Sequence, residues 1–297
     1  PEETTPTDVN IVGEFNVAGE LWQVKPLLDR LGIRLLGSIS GDARYRQVAM
    51  AHRAKVTMLV CAKALTNVAR GLEERWGIPW FEGSFYGIAD TSDALRTMAR
   101  MLVDQGADAE LIDRAEALIA AEEARTRAAL EPYRARVAGK RVLLYTGGHK
   151  TWSVVSALQE LGVEVVATSV RKSTEGDKDR IRALTGDDAH MFDNMAPKDM
   201  YAALQAAEAD VLMSGGRSRF VALKAKVPWI DVNQEKHEAY AGYDGMVELV
   251  RHLDRAVNNP IWADVRAPAP WEASWRADPA APSLRIVASD AADFEDC

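Results

Sequence analysis

The stretch Leu21–Ser40, LWQVKPLLDRLGIRLLGSIS, decides the fold, because it returns 130 positions later as Thr151–Val170, TWSVVSALQELGVEVVATSV. At that offset Trp22 meets Trp152, Val24 meets Val154, and Leu31-Gly32 meets Leu161-Gly162. Each copy predicts a helix with apolar residues three and four apart, a glycine stop, and a short apolar strand. A strand precedes each copy: VNIVGEFN before the first and KRVLLYTGG before the second. The echo continues outward. KVTMLVCAKAL leads through a helix to GIPWFE, and ADVLMSGGRS leads through a helix to KVPWID. Two β-α-β series of this kind predict an α/β protein with two doubly wound, Rossmann-like domains and mainly parallel sheets.

The expected organisation is a first domain over 8–105, a helical connector over 106–139, a second domain over 140–267, and an irregular tail over 268–297. The connector is rich in Ala, Glu, Arg and Leu and stops near Gly139. The Pro/Ala/Asp-rich tail lacks apolar periodicity.

Composition narrows the function classes. A chain of 297 residues with 47% hydrophobic residues can bury a sizeable core, and a net charge of −8 argues against general nucleic-acid or anionic-membrane binding. Two cysteines, Cys61 and Cys297, make no disulfide framework, which predicts a reducing, cytoplasmic setting. No apolar run approaches a membrane span, and PEETTPTD has no signal-peptide character. The start without Met, almost directly on a strand, reads as a piece of a longer chain.

In open α/β sheets, ligands sit beyond the carboxyl ends of the strands. Cys61 follows one such end, in VTMLVCAKAL; TGGHK (Gly147, Gly148, His149, Lys150) and SGGR (Gly215, Gly216, Arg217) follow two others. For Cys61 two readings stay open, a small buried hydrophobe and a ligand. A helix start and Lys63 beside it favour a thiolate. His52, His149, His190, His237 and His252 show no distinctive pairing with it, and neither CxxC nor HExxH occurs. Any metal on Cys61 therefore brings most of its coordination with it, as a preformed cluster does. The glycine loops suit an anion but match neither GxGxxG nor a P-loop, and packing turns are the other reading. Arg171 and Lys172 either add to that positive field or are simply solvated. His149 is read as a ligand, a proton donor or a local hydrogen-bonding group. Trp80 and Trp229, in GIPW and VPW, are expected to pack at strand starts.

Taken together, VNIVGEFNVAGELW, SGDARYR, VCAKALTNVARGLEERWGIPWFEGSFYGI, LLYTGGHK, GYDGMVEL and NNPIW resemble the C-terminal two-thirds of the nitrogenase component 1 family, in its cofactor-assembly branch. Catalytic members hold their iron–molybdenum cofactor through one cysteine and one histidine. Cys61 matches the cysteine, whereas Asn233 stands at the histidine position. Lys63 and Lys150 match arginines of the catalytic subunit, and Arg217 matches its lysine near homocitrate. The resemblance thus implies a scaffold, not an enzyme, that holds an eight-iron iron–sulfur precursor on Cys61 while molybdenum and homocitrate are added. It implies a heterotetramer with NifN, a precursor from NifB, molybdenum and homocitrate from the nitrogenase iron protein, and delivery to apo nitrogenase component 1. An interface [4Fe-4S] cluster is expected only with the family's amino-terminal domain, which this stretch lacks. Two alternatives remain: a catalytic subunit of a nitrogenase-like oxidoreductase, and a glycosyltransferase binding a nucleotide sugar between its halves.

Overall fold

The computed structural model describes residues 3–14, 20–41, 43–186, 191–233 and 239–269, with the side chains of Glu14 and His149 left aside. Short Val-, Leu- and Ile-rich runs form the strands, and the amphipathic runs between them form the crossovers. The first half comprises β1 (Asp8–Glu14), α1 (Glu20–Arg30), β2 (Arg34–Ser40), α2 (Tyr45–Met50), β3 (Val56–Leu59), α3 (Ala62–Trp76), β4 (Trp80–Glu82) and α4 (Ile88–Asp104). A long helix, α5 (Glu110–Val137), leads into β5 (Arg141–Tyr145), α6 (His149–Gln159), β6 (Glu164–Ser169), α7 (Glu175–Thr185) and β7 (Met191–Phe192). Then follow α8 (Pro197–Ala206), β8 (Val211–Ser214), α9 (Arg219–Lys224), β9 (Trp229–Asp231), α10 (Gly242–Val257) and α11 (Ile261–Arg266).

The strands make two sheets, in orders β2-β1-β3-β4 and β7-β6-β5-β8-β9, and each pairing is parallel. This is the α/β architecture expected from the repeat. Both sheets lie in one compact unit, Pro1–Asn259, while α11 belongs to a second unit, Pro260–Cys297. The tail expected over 268–297 lies outside the described residues beyond 269.

Strands covered by helices on both faces are mostly apolar, and the inner strands follow this with Asp8, Asn10, Thr57 and Ser214 as buried polar exceptions. Val9, Ile11, Val56, Met58, Val142, Leu144, Val211 and Met213 are all at 0% exposure. Burying such a side chain contributes about 1.5–3 kcal/mol. One continuous core joins these strands to α4, α5 and α10. On α5, Leu111, Ala115, Leu118, Ile119 and Leu130 are buried at helical spacing. Gly139, at φ +74°, follows that helix in the conformation a glycine adopts without cost. Among the described residues no helix is long and apolar enough to cross a membrane.

Each sheet has one point where the chain changes direction across it. In the first sheet β1 lies between β2 and β3, and in the second β5 lies between β6 and β8. The segments leaving β3, β5 and β8 therefore begin at the switch crevices, where open α/β sheets bind ligands. Those segments carry Cys61, Gly147-Gly148 and Gly215–Arg217.

Candidate functional site

Cys61 lies two residues beyond β3 and caps the N-terminus of α3 with extended backbone, φ −119° and ψ 92°. Gly13, at the end of β1, makes room for it. A β-carbon on Gly13 would stand 2.5 Å from the Cys61 amide nitrogen, so only glycine lets the two strands converge there. Across the crevice Gly148 approaches the sulfur from the second half, and a β-carbon on it would lie 3.3 Å from Sγ. Its φ of 64° and ψ of −146° belong to a region that side-chain-bearing residues avoid.

Around this contact is a cavity of about 570 Å³. The first half contributes Cys61, Lys63 and Ala64. The second contributes Tyr145–Gly148 from the end of β5, Ser169, Arg171 and Lys172 from the end of β6, Gly215, Arg217 and Ser218 from the end of β8, and Asn233 after β9. Cys61 is 8% exposed, so its sulfur is sheltered but faces this space. Lys63, Arg171, Lys172 and Arg217 are exposed cations on the wall, and none of the described lining residues is Asp or Glu. In a chain of net charge −8, that is a local reversal of sign.

Asn233 is fixed by two hydrogen bonds. Its backbone amide donates to Asp231 Oδ1 at 3.0 Å, and Thr146 Oγ1 donates to its side-chain Oδ1 at 2.7 Å. The second of these joins the loops after β5 and β9.

The structure gathers Cys61, Lys63, Gly147, Gly148, Gly215, Arg217 and Asn233 at this one cavity. It does not bring Lys150 or Gly216 to the wall. Lys150 is 8% exposed, and its Nζ donates to the Val232 carbonyl at 3.2 Å, lies 3.6 Å from Glu20 Oε1 and sits 5.5 Å over the Tyr86 ring. The reason is the helix that carries it: α6 is buried on almost every side, so a side chain in its first turn can be directed inward as readily as toward the loop. Lys150, expected to face the cargo, is not among the residues that line the cavity; its Nζ is bonded instead to the carbonyl next to Asn233.

Arg171 and Lys172, left open between solvent and site, both line the cavity. Their position just past β6, after Val170, was the available signal; what the sequence lacked was the packing of that loop on Gly147. Of the histidines, His52 pairs with Trp76 at 5.7 Å between ring centroids, and His252 Nδ1 lies 2.9 Å from Tyr240 Oη. His190 and His237 lie outside the described residues, as does the side chain of His149. Trp80 and Trp229 begin β4 and β9, half-buried, with indole N–H groups donating to Glu73 Oε2 at 3.0 Å and Ser214 Oγ at 2.9 Å. Among the described residues no group of three or more His, Cys, Asp or Glu side chains could hold a metal ion. A preformed cluster taking one thiolate fits this donor set; a bare ion needing several protein ligands does not.

A profile of the family described as nitrogenase component 1 type oxidoreductase matches residues 1–258. The nitrogenase iron-molybdenum cofactor biosynthesis protein NifE of Rhodobacter capsulatus is 69% identical over 274 residues, which cover 92% of this chain and 57% of that protein. The protein of the same name from Klebsiella pneumoniae is 52% identical over 89% of this chain and 57% of its own length. The chain thus spans a little over half the length of these relatives. A solved structure of nitrogenase Cp1 at pH 5 shares the fold with a TM-score of 0.79, at 24% identity over 91% of this chain and 60% of that one. By the extent of the profile match and the identity to these relatives, the chain belongs to the nitrogenase component 1 type oxidoreductase family.

Proposed function

We propose that this chain is the cargo-holding part of a scaffold on which the nitrogenase iron–molybdenum cofactor is assembled, and that it is not itself an enzyme. The observation that carries the reading is the Cys61 sulfur facing a cavity walled by Lys63, Arg171, Lys172 and Arg217, with no carboxylate among the described lining residues. Such a wall suits an anionic iron–sulfur cargo and any organic acid attached to it, here an eight-iron precursor and homocitrate. To bind iron, the Cys61 thiol gives up its proton and the sulfur becomes the one side-chain anchor.

Asn233 is the second element of the reading. It occupies the place where catalytic family members present a histidine, and an amide is a poor ligand where imidazole is a good one. A cargo held by one thiolate and by electrostatics is exchangeable, which is what a donor to another protein requires. The full complex is then a heterotetramer with NifN in the cytoplasm, loaded from NifB, supplied by the nitrogenase iron protein, and unloading onto apo nitrogenase component 1. An interface [4Fe-4S] cluster belongs to the part of the protein beyond this chain.

The test is iron content. In the full-length complex purified without oxygen, Cys61→Ala is expected to lose the bound precursor while assembly with NifN persists. Iron loading equal to that of the native complex would remove Cys61 as anchor and the reading with it.

A further inference from the structure

A second cavity, of about 360 Å³, lies on the seam between the two halves and shares no described lining residue with the one around Cys61. From the first half it is lined by Glu82, at the end of β4, and by Asp90 and Asp93 on α4; from the second come Trp152 and Ser156 on α6 and Arg180 on α7. Bonds across the seam hold these walls together. Arg180 Nη2 donates to Glu82 Oε2 at 3.1 Å, and the Ile88 and Ala89 amides that start α4 donate to Glu160 at 3.1 and 3.0 Å. Trp152, Ser156 and Glu160 stand four apart along α6 and its C-cap, so one face of that helix runs beside the start of α4.

Two polar groups on this wall are left over. Trp152 is 6% exposed, with the Arg180 guanidinium 4.5 Å over its ring, and its indole N–H meets no acceptor among the described residues. One turn along α6, Ser156 donates to the Asp90 carboxylate, whose Oδ2 likewise has no partner among the described residues. Buried donors and acceptors left without partners cost free energy, and in a cavity wall they mark what a ligand would supply. Charge narrows the class. Glu82 is paired with Arg180, and Asp93 with Arg96 at 3.2 Å, which leaves Asp90 as the lining acid without a cation bonded to it among the described ion pairs. Burial pushes its carboxyl up to about 6; the Ser156 bond opposes the rise, Glu160 and Asp93 add to it, and Arg180 opposes it. A cation brought against Asp90 relieves the cost of its charge, whereas a simple anion meets an acidic wall. Both leftover atoms are covered by the packed walls. A carboxylate turns about one bond and the half-buried Arg180 about several, so a ligand entering the cavity can reach them.

We propose that the seam cavity is a binding site for a small organic amine that also carries an oxygen acceptor, its ammonium group resting on Asp90 and its oxygen taking the Trp152 indole N–H. Ser156 bonds the one and stands a single turn from the other, so a short molecule spans both. Amino alcohols and α-amino acids share this chemistry. The site is independent of the cargo reading of the Cys61 cavity.

Equilibrium dialysis of the full-length complex tests it, with radiolabelled ethanolamine and glycine as probes, ethylamine as the amine without the oxygen, and propionate as the acid without the amine. Ethanolamine, glycine or both are expected to bind saturably at neutral pH, and which of them does separates the two sources. Ethylamine is expected to bind about fivefold more weakly than ethanolamine for want of the acceptor. Asp90→Asn keeps the side chain's shape and is expected to weaken the amines about tenfold. Trp152→Phe is expected to cancel the preference for ethanolamine over ethylamine. Binding should also fall as pH drops through about 6, where Asp90 takes up a proton that competes with the ammonium group. No saturable binding of either amine to the native complex overturns the site. So does amine binding unchanged by Asp90→Asn, or propionate bound as tightly as glycine. Should Trp152→Phe fail to assemble, the Asp90→Asn result and the pH dependence decide.

Discussion

Lys150 Nζ lies 3.6 Å from Glu20 Oε1, and this ion pair ties α6 of the second half to α1 of the first. Glu20 is 1% exposed and Lys150 8%, so the pair is held away from water, where removing one partner of an ion pair is costly. Lys150→Met is expected to destabilise the full-length protein by on the order of 3 kcal/mol, read as a lower urea midpoint. Because Lys150 Nζ also holds the Val232 carbonyl next to Asn233, precursor loading should fall with stability rather than independently of it. A Met variant with native stability and no iron would return Lys150 to direct contact with the cargo.

In the proposed reading, Asn233 stands as an amide where catalytic family members present an imidazole. Asn233→His is expected to retain the cargo longer, slowing its transfer to apo nitrogenase about tenfold, the equivalent of 1.4 kcal/mol of added holding. The measurement is the rate at which activity appears in the acceptor. The Thr146 hydroxyl that donates to Asn233 Oδ1 can donate equally to an unprotonated ring nitrogen, so the loop need not rearrange. Equal transfer rates would remove Asn233 from the account of release.

Asp90, on α4, lines a separate cavity of about 360 Å³ with Trp152 and Arg180. Burial pushes its carboxyl up to about 6 from an ordinary 3.8; the Ser156 hydrogen bond opposes the rise, and Glu160 and Asp93 add to it. Between roughly pH 4 and 6 the folded protein therefore keeps a proton that the unfolded chain has shed. The resulting stability is complete below the unfolded value and is lost as pH rises through the folded one. Burial likewise raises Glu160, against the amides of Ala89 and Ile88, so its contribution has the same sign. Asp90→Asn is expected to be more stable than the native protein at pH 7.5 by on the order of 2 kcal/mol, with the gap closing near pH 4.5. Urea midpoints at the two pH values check it, and a gap independent of pH would place the effect elsewhere.

The fold was legible because its repeat is written in residues that pack the same way twice. Val24 and Val154 are 1% and 2% exposed, Leu31 and Leu161 are both 2%, and Gly32 and Gly162 turn their helices off at φ 71° and 72°. The tryptophans of the same repeat part company. Trp152 is 6% exposed beneath the Arg180 guanidinium, which stacks 4.5 Å from its ring, whereas Trp22 is 65% exposed. Identity at one position in two halves fixed a helix face but not what covers it.

The same division holds at the site. Strand ends, glycine loops and Cys61 could be placed from sequence, because a parallel sheet delivers its carboxyl ends to one edge whatever the side chains do. Lys63 and Arg217 could be placed as well, but the opposite fates of Lys150 and Lys172 could not. Lys150 and Lys172 are both lysines just past a strand, yet one turns in to Glu20 while the other lies along Gly147 at the rim. Local pattern by itself determined the period of the elements, their order and the edge on which ligands gather, since these follow from backbone geometry and apolar spacing. Only the tertiary structure decided the direction of each long charged side chain, because a flexible stem settles where distant segments supply a counter-charge or a surface to lie on.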